Sequence, residues 1–194
     1  QQDIGVYVAS LAGALAQSRG LNATGVGVGL SFAEAVVRPE ISTYVDESSV
    51  LYAGGNITVE SRHNSDRLGL LYPNMKAEAS AWSATGALVG GGHGAQAEAD
   101  ASAHIDTYVA GGAGSSLTAV GTVNITSYSG NRAITLADGQ AYAGVIAAGA
   151  VLADAINSGR TAAHLDANRV QAGRLQIRAF TSDDADAQTK SGAG

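Results

Sequence analysis

Apolar and polar positions alternate with a period of two through most of the chain. Ala77, Ala79 and Ala81 fall at every second position, as do Ala95, Ala97, Ala99, Ala101 and Ala103 ahead of Ile105. Ile57, Val59 and Ser61 repeat the pattern, and so do Val123, Ile125 and Ser127. A period of two is that of a strand, whose successive side chains point to opposite faces. Alanine is the best helix former, but alanines at every second position cannot make a stripe at i, i+3 and i+4. The pattern therefore predicts strands with one face of small residues.

The same stretches recur. Ala33-Glu-Ala35, Ile41-Ser-Thr-Tyr44-Val and Ala53-Gly-Gly-Asn-Ile57-Thr-Val59 reappear as Ala97-Glu-Ala99, Ile105-Asp-Thr-Tyr108-Val and Gly121-Thr-Val123-Asn-Ile125-Thr. A more divergent third copy has Ala153-Asp-Ala155, Ala163-His-Leu165-Asp and Ala172-Gly-Arg-Leu175-Gln-Ile177. The Ala-x-Ala anchors begin at Ala33, Ala97 and Ala153, and the second step between them is shorter than the first, a difference that belongs in loops. This predicts one repetitive domain over 1–194, with units at 5–68, 75–132 and 133–194.

Small inward residues let strand layers approach closely, and a buried methyl contributes only about 0.8 kcal/mol, so such a core must be extensive. The expected fold is all-β: a parallel β-solenoid (β-helix) of stacked coils with a narrow Ala/Gly-rich core. At roughly 20 residues per coil each unit would hold about three coils, and the chain about nine or ten. Val26, Val28, Leu30, Phe32, Leu117, Val145, Ile146 and Leu152 are expected to fill the wider parts of the section. Gly54-Gly55, Gly90-Gly91-Gly92, Gly111-Gly112, Gly130-Asn131 and Asp138-Gly139 read as turns needing positive φ, and Ser182 to Lys190 as a frayed edge or outward loop.

Composition narrows the field. The 38 alanines and 26 glycines are a third of the chain, while aromatic residues supply 5%, so no ordinary core of Leu, Phe and Trp is available. Collagen is excluded because the glycines keep no triplet period and only 2 prolines are present. A net charge of −6 without a basic run disfavours nucleic acid as a partner. With no cysteine there is no disulfide, Cys-bound zinc, iron–sulfur cluster or thiol nucleophile. The longest weakly polar stretch, Ala141 to Ala153, is too short for a membrane span. The chain opens at Gln1 with neither initiator Met nor signal peptide, which points to a processed product or a piece of something longer.

The run from Gly25-Val-Gly-Val-Gly29-Leu-Ser-Phe-Ala33-Glu-Ala through Ile41-Ser-Thr-Tyr-Val45 to Ala53-Gly-Gly-Asn-Ile-Thr-Val59 resembles the repeat of very large bacterial surface proteins of the filamentous-haemagglutinin and leukotoxin-like adhesin type. The resemblance covers nearly the whole chain in three imperfect copies. It implies a β-helical rod, exported across the envelope, that serves as adhesin or surface fibre, with no active site to carry over. The third copy departs from the pattern at Ala163-His164-Leu165, where the tyrosine is replaced, and at Arg174, which stands for one glycine of the pair.

Candidate chemistry is sparse. His63, His93, His104 and His164 stand alone in their segments, although His104 and His164 lie near corresponding repeat positions and raise the idea of a stacked His ladder. Gly90-Gly-Gly-His-Gly94 lacks the Lys and Ser/Thr of a phosphate loop, and Gly25-x-Gly27-x-Gly29 lacks the strand-to-helix context of a dinucleotide site. Asp183-Asp184-x-Asp186 offers oxygen ligands for Ca²⁺ without a calcium β-roll nonapeptide. Glu34, Glu98 and Asp154 recur beside the Ala-x-Ala anchors, as a charged row that discourages side-to-side aggregation more than as a catalytic pair. The expected catalytic, cofactor and metal sites are none.

Asn22-Ala-Thr24, Asn56-Ile-Thr58 and Asn124-Ile-Thr126 are glycosylation sequons, the last two read as equivalent positions of the repeat. The tyrosines 7, 44, 52, 72, 108, 128 and 142, with Trp82, offer a surface for carbohydrate or a neighbouring rod. Solenoid ends carry unpaired backbone groups, so the expected role is structural: part of a secreted or surface-displayed prokaryotic fibre, filament or adhesin stalk assembled by edge-to-edge β-stacking. The partners are copies of the chain or its own continuing coils, with surface carbohydrate beside them, and Ile4, Val6 and Val8 belong to the candidate assembly segment. The rivals are a polysaccharide-degrading β-helix enzyme, which needs ionisable residues converging in a groove, and a carbohydrate- or ice-binding module.

Overall fold

The computed structural model describes residues 2–193 and is all-β, with no helix among them. Eleven strands follow in order: β1 (Ile4–Ser10), β2 (Ala14–Val37), β3 (Glu40–Val45), β4 (Val50–Ala53), β5 (Ile57–His63), β6 (Ala77–Ala101), β7 (His104–Val109), β8 (Ser116–Ala143), β9 (Ile146–Ile156), β10 (Arg160–Leu165) and β11 (Arg169–Ala193). One sheet has the path β1-β5-β8-β6-β2, with β4 and β11 also on β8 and β9 on β6; the other is β10-β7-β3. Every strand pairing is parallel. The one antiparallel bridge among the described residues, Ser65 to Leu71, lies inside a loop.

The register follows the sequence repeat. Ala33 pairs with Ala97 and Ala97 with Ala153; Tyr44 pairs with Tyr108 and Tyr108 with His164. Each strand meets its counterpart one whole repeat away, as Ile57 meets Val123 and Val123 in turn meets Leu175. The expectation of roughly 20 residues per coil, and of about nine or ten coils, is therefore wrong. One repeat carries one set of stacked strands. The unequal spacing does sit in loops. Asn64–Lys76 separates β5 from β6, whereas Ser129 and Ala133, which occupy the corresponding step, are joined within β8.

The long strands bend back on themselves. Ser31 Oγ donates to Ser18 Oγ at 2.9 Å within β2, although a straight strand of that length would span about 43 Å. Within β6, Thr85 Oγ1 likewise donates to the carbonyl of Gly92 at 2.6 Å. The two limbs face each other across a narrow core built from Ala33, Ala35, Ala79, Ala81, Ala97, Ala99 and Ala137. The predicted inward alanine row is confirmed, Ala77, Ala81, Ala97, Ala99 and Ala103 being wholly buried. A second cluster, where larger side chains fit, holds Ile57, Val59, Val109, Leu117, Val123 and Ile125. Buried Ser61, Thr107 and Ser127 line this region and bond to one another, Ser127 Oγ to Thr107 Oγ1 at 2.7 Å.

Three sequence expectations fail here. Of the large residues assigned to the interior only Leu117 is buried; Val26, Val28, Leu30, Phe32, Val145, Ile146 and Leu152 are exposed. Parity is the reason on the second limb of β2, 26–37, where the odd positions face inward, so that Gly27, Gly29 and Ser31 enter the core and the bulky even positions lie outside. Secondly, Gly90-Gly91-Gly92, Gly130-Asn131 and Asp138-Gly139 lie inside β6 and β8, not in turns, and the described residues with positive φ are Asn64 and Gly69. Close approach is what Gly130 and Gly139 serve: a Cβ on Gly130 would meet the Asn64 carbonyl, and one on Gly139 would collide with the His93 ring, whereas Gly90 faces open space. Thirdly, Ser182 to Lys190 is neither frayed nor looped but runs in β11, paired residue by residue with Gly130 to Asp138.

Candidate assembly edges

Each strand on one boundary of the sheets has a single partner. Along one edge β1 pairs only with β5, β2 only with β6, β3 only with β7 and β4 only with β8. Along the other β9 pairs only with β6, β10 only with β7 and β11 only with β8. Both edges thus present backbone N–H and C=O groups that no described residue pairs in the sheet, which makes them templates for further strands.

Ile4, Val6 and Val8 sit on the first edge, in register with Ile57, Val59 and Ser61. Those partners are wholly buried, while Ile4 and Val6 are half-buried and Val8 is exposed. The second edge shows the same loss of cover. Leu175 and Ile177 pair with Val123 and Ile125, which are fully buried, yet are themselves 47% and 41% exposed. Sequence reading placed Leu175 and Ile177 in a repeat strand without recognising that their inner face lies open.

The three sequons occupy different settings. Asn22 Nδ2 donates to the carbonyl of Val28 at 2.9 Å, and Thr24 Oγ1 to that of Val26 at 2.7 Å, closing the bend in β2. Asn56 Oδ1 accepts from the backbone N–H of Thr122 at 2.8 Å, and the Asn56 N–H donates to Asp3 Oδ1 at 2.6 Å, so this residue ties three successive repeats. Asn124 pairs with Thr58, two positions from Asn56. The supposed equivalence of the last two sequons is therefore incorrect, because the register sets Ile57 against Val123 and not against Ile125.

The histidines also separate. His104 pairs with Arg160 and His164 with Tyr108, so no His ladder forms. His164 instead continues an aromatic stack: Tyr44 and Tyr108 lie 5.3 Å apart between centroids, and Tyr108 and His164 4.9 Å apart, all nearly parallel. Tyr128 and Phe180 form a second stack at 5.1 Å. His63 is fully buried with both ring nitrogens unpartnered, and burial pushes its pKa down to about 4.

The acidic residues hold no common centre. Glu34, Glu98 and Asp154 form one outward column in register. Asp183 accepts from Asn131 at 3.0 Å, Asp184 pairs with Arg132 at 2.9 Å, and Asp186 accepts from Gln188 at 3.0 Å, so the three aspartates turn to different neighbours. No cluster of His, Asp or Glu suited to a metal ion occurs among the described residues. Asp100 is a buried anion that the sequence did not single out. Burial works to raise its pKa, but hydrogen bonds from Arg38 and Ser102 and the Arg38 charge outweigh it and hold the carboxyl below its usual range.

Comparison of the chain with protein-family models, with curated proteins and with solved structures gives no match. The functional reading therefore rests on the residues and edges described above.

Proposed function

We propose that the chain is a stretch of parallel β-solenoid with a structural role, one segment of an extracellular fibre or adhesin stalk that extends by stacking β-edge on β-edge. The observation that carries this is the exposure of Leu175 and Ile177 above the fully buried Val123 and Ile125. A further coil in the same register would bury both, and within the chain parallel strands one repeat apart already cover one another in this way. The Ala-x-Ala columns, the aromatic stacks and the Asp3–Asn56–Thr122 ladder support the same reading, since each is a contact between successive repeats. The resemblance to large adhesins agrees with it and suggests the location, a prokaryotic cell surface or its secreted material. The outward carboxylate column of Glu34, Glu98 and Asp154 repels lateral neighbours.

The test joins the denatured mass of the native polypeptide to electron microscopy of the purified chain. The expected result is either rods that lengthen with concentration or a native polypeptide many times heavier than this chain. A native polypeptide of 19.3 kDa that stays monomeric and compact at every concentration would overturn the proposal.

A further inference from the structure

The outer face of β3, β7 and β10 carries charged groups beside its aromatic stack. The buried Ile41, Thr43, Val45, Ile105, Thr107 and Val109 fix the inward parity, so the even positions project outward in three columns. Glu40, His104 and Arg160 form the first; Ser42, Asp106 and Ala162 the second; Tyr44, Tyr108 and His164 the third. Between the first two runs an open groove of about 530 Å³, a volume in the range of small-molecule sites.

The groove is preorganised on one side. His164 faces Asp106 through Nδ1 at 3.2 Å and Asp166 through Nε2 at 3.6 Å, while its ring lies flat on Tyr108. Asp106 Oδ1 is the buried atom that faces His164, so the exposed part of this carboxylate is what the groove presents. On the other side the Arg160 guanidinium has no carboxylate within ion-pair distance among the described residues. Ala162, in the next column, is small enough to leave the floor open. Tyr108 has both ring faces covered, by Tyr44 and by His164, so over the middle of the sheet the stack presents ring edges and the groove beside it offers polar groups.

The charge pattern selects the ligand. A free guanidinium fork matches a planar carboxylate or a phosphate. Glu40 and Asp106 lie within the same groove and repel a doubly charged phosphate, but they accept readily from hydroxyl groups. We propose that this groove binds an acidic saccharide, a sugar bearing one carboxylate and several hydroxyls, with the carboxylate on Arg160 and the hydroxyls on Asp106, Glu40 and Ser42. The groove crosses all three strands, and Arg160 and Glu40 stand on the edge strands β10 and β3, so a further copy stacked in register would bring its Glu40 beside Arg160 and compete with the saccharide; binding is therefore measured on the unstacked chain.

Calorimetric titration with a galacturonate tetrasaccharide, beside the neutral galactose tetrasaccharide of the same linkage, tests it. The acidic oligomer is expected to bind at least tenfold more tightly than the neutral one, and to weaken as salt rises. Arg160→Gln should lose tenfold or more of that affinity, and Ala162→Leu should block the groove without changing charge. Arg19→Gln, on the outer face of β2, should bind as the unchanged protein does. No binding by the unchanged protein at millimolar oligomer, equal binding of the two saccharides, or full affinity in either Arg160→Gln or Ala162→Leu would overturn the proposal.

Discussion

The ring of His93 lies in the space that Gly149 leaves by having no side chain: the two residues are register partners on β6 and β9, and a Cβ on Gly149 would fall inside the imidazole. Gly139 opens the same space from β8, and His93 Nε2 lies 3.4 Å from Ser191 Oγ on β11. A large residue thus enters a core of alanines where two glycines receive it.

Gly149→Ala should therefore destabilise the protein by about 1–3 kcal/mol, the usual cost of overpacking. In a His93→Ala background the same change should be nearly neutral. A double-mutant cycle measured by thermal unfolding checks this, and additive effects would contradict the close fit.

Ala99 is wholly buried between facing limbs, so Ala99→Leu should also cost about 1–3 kcal/mol. Gln96→Leu adds an apolar side chain on the exposed outer face of the same strand and should change stability by no more than about 0.5 kcal/mol. Urea melts of the two variants give the comparison; equal effects would count against the parity of β6.

His63 makes stability depend on pH. Its folded pKa of about 4 lies below the ordinary 6.5, so between these values the unfolded chain takes up more protons than the folded one. Stability should accordingly fall as pH drops from 6.5 towards 4. The drop is on the order of 1–3 kcal/mol, and above that window the group makes no contribution. His63→Gln should flatten the profile there, as followed by melting temperature against pH.

Arg38 guards the buried Asp100. Arg38→Met leaves an unpaired buried carboxylate and should destabilise the fold more than Asp100→Asn, which removes the charge together with its need for a partner. Because the Asp100 pKa is lowered in the fold, its stabilisation is complete above the unfolded value and disappears as pH falls through the folded one. Chemical unfolding of both variants at neutral pH orders them.

Tyr108 stands between Tyr44 and His164, so Tyr108→Ala breaks two stacks and Tyr44→Ala one. At about 0.5–1.5 kcal/mol per aromatic pair, the first should exceed the second by roughly that amount. Thermal unfolding of the two variants measures the difference.

The period of two and the repeat determined a great deal by themselves. Alternation at Ala95 to Ala103 and at Ile57 to Ser61 named strands and their inward faces, and the recurrence of Ala33, Ala97 and Ala153 marked the residues that stack. These features are local or self-similar, so they can be read without knowing where any strand lies. The tertiary structure alone decided the rest. How far apart in the chain two paired strands lie depends on where long strands bend, and nothing in the Ser18–Ser31 stretch announces that its ends meet. Which apolar residues are buried depends on the width between limbs: at Leu30 and Phe32 hydrophobicity argued for the interior, but a space sized for Gly29, Ser31 and Ala33 leaves them on the surface. The groove of Glu40, Asp106 and Arg160 draws its residues from three repeats, so it exists only once parallel register has brought positions a whole repeat apart side by side.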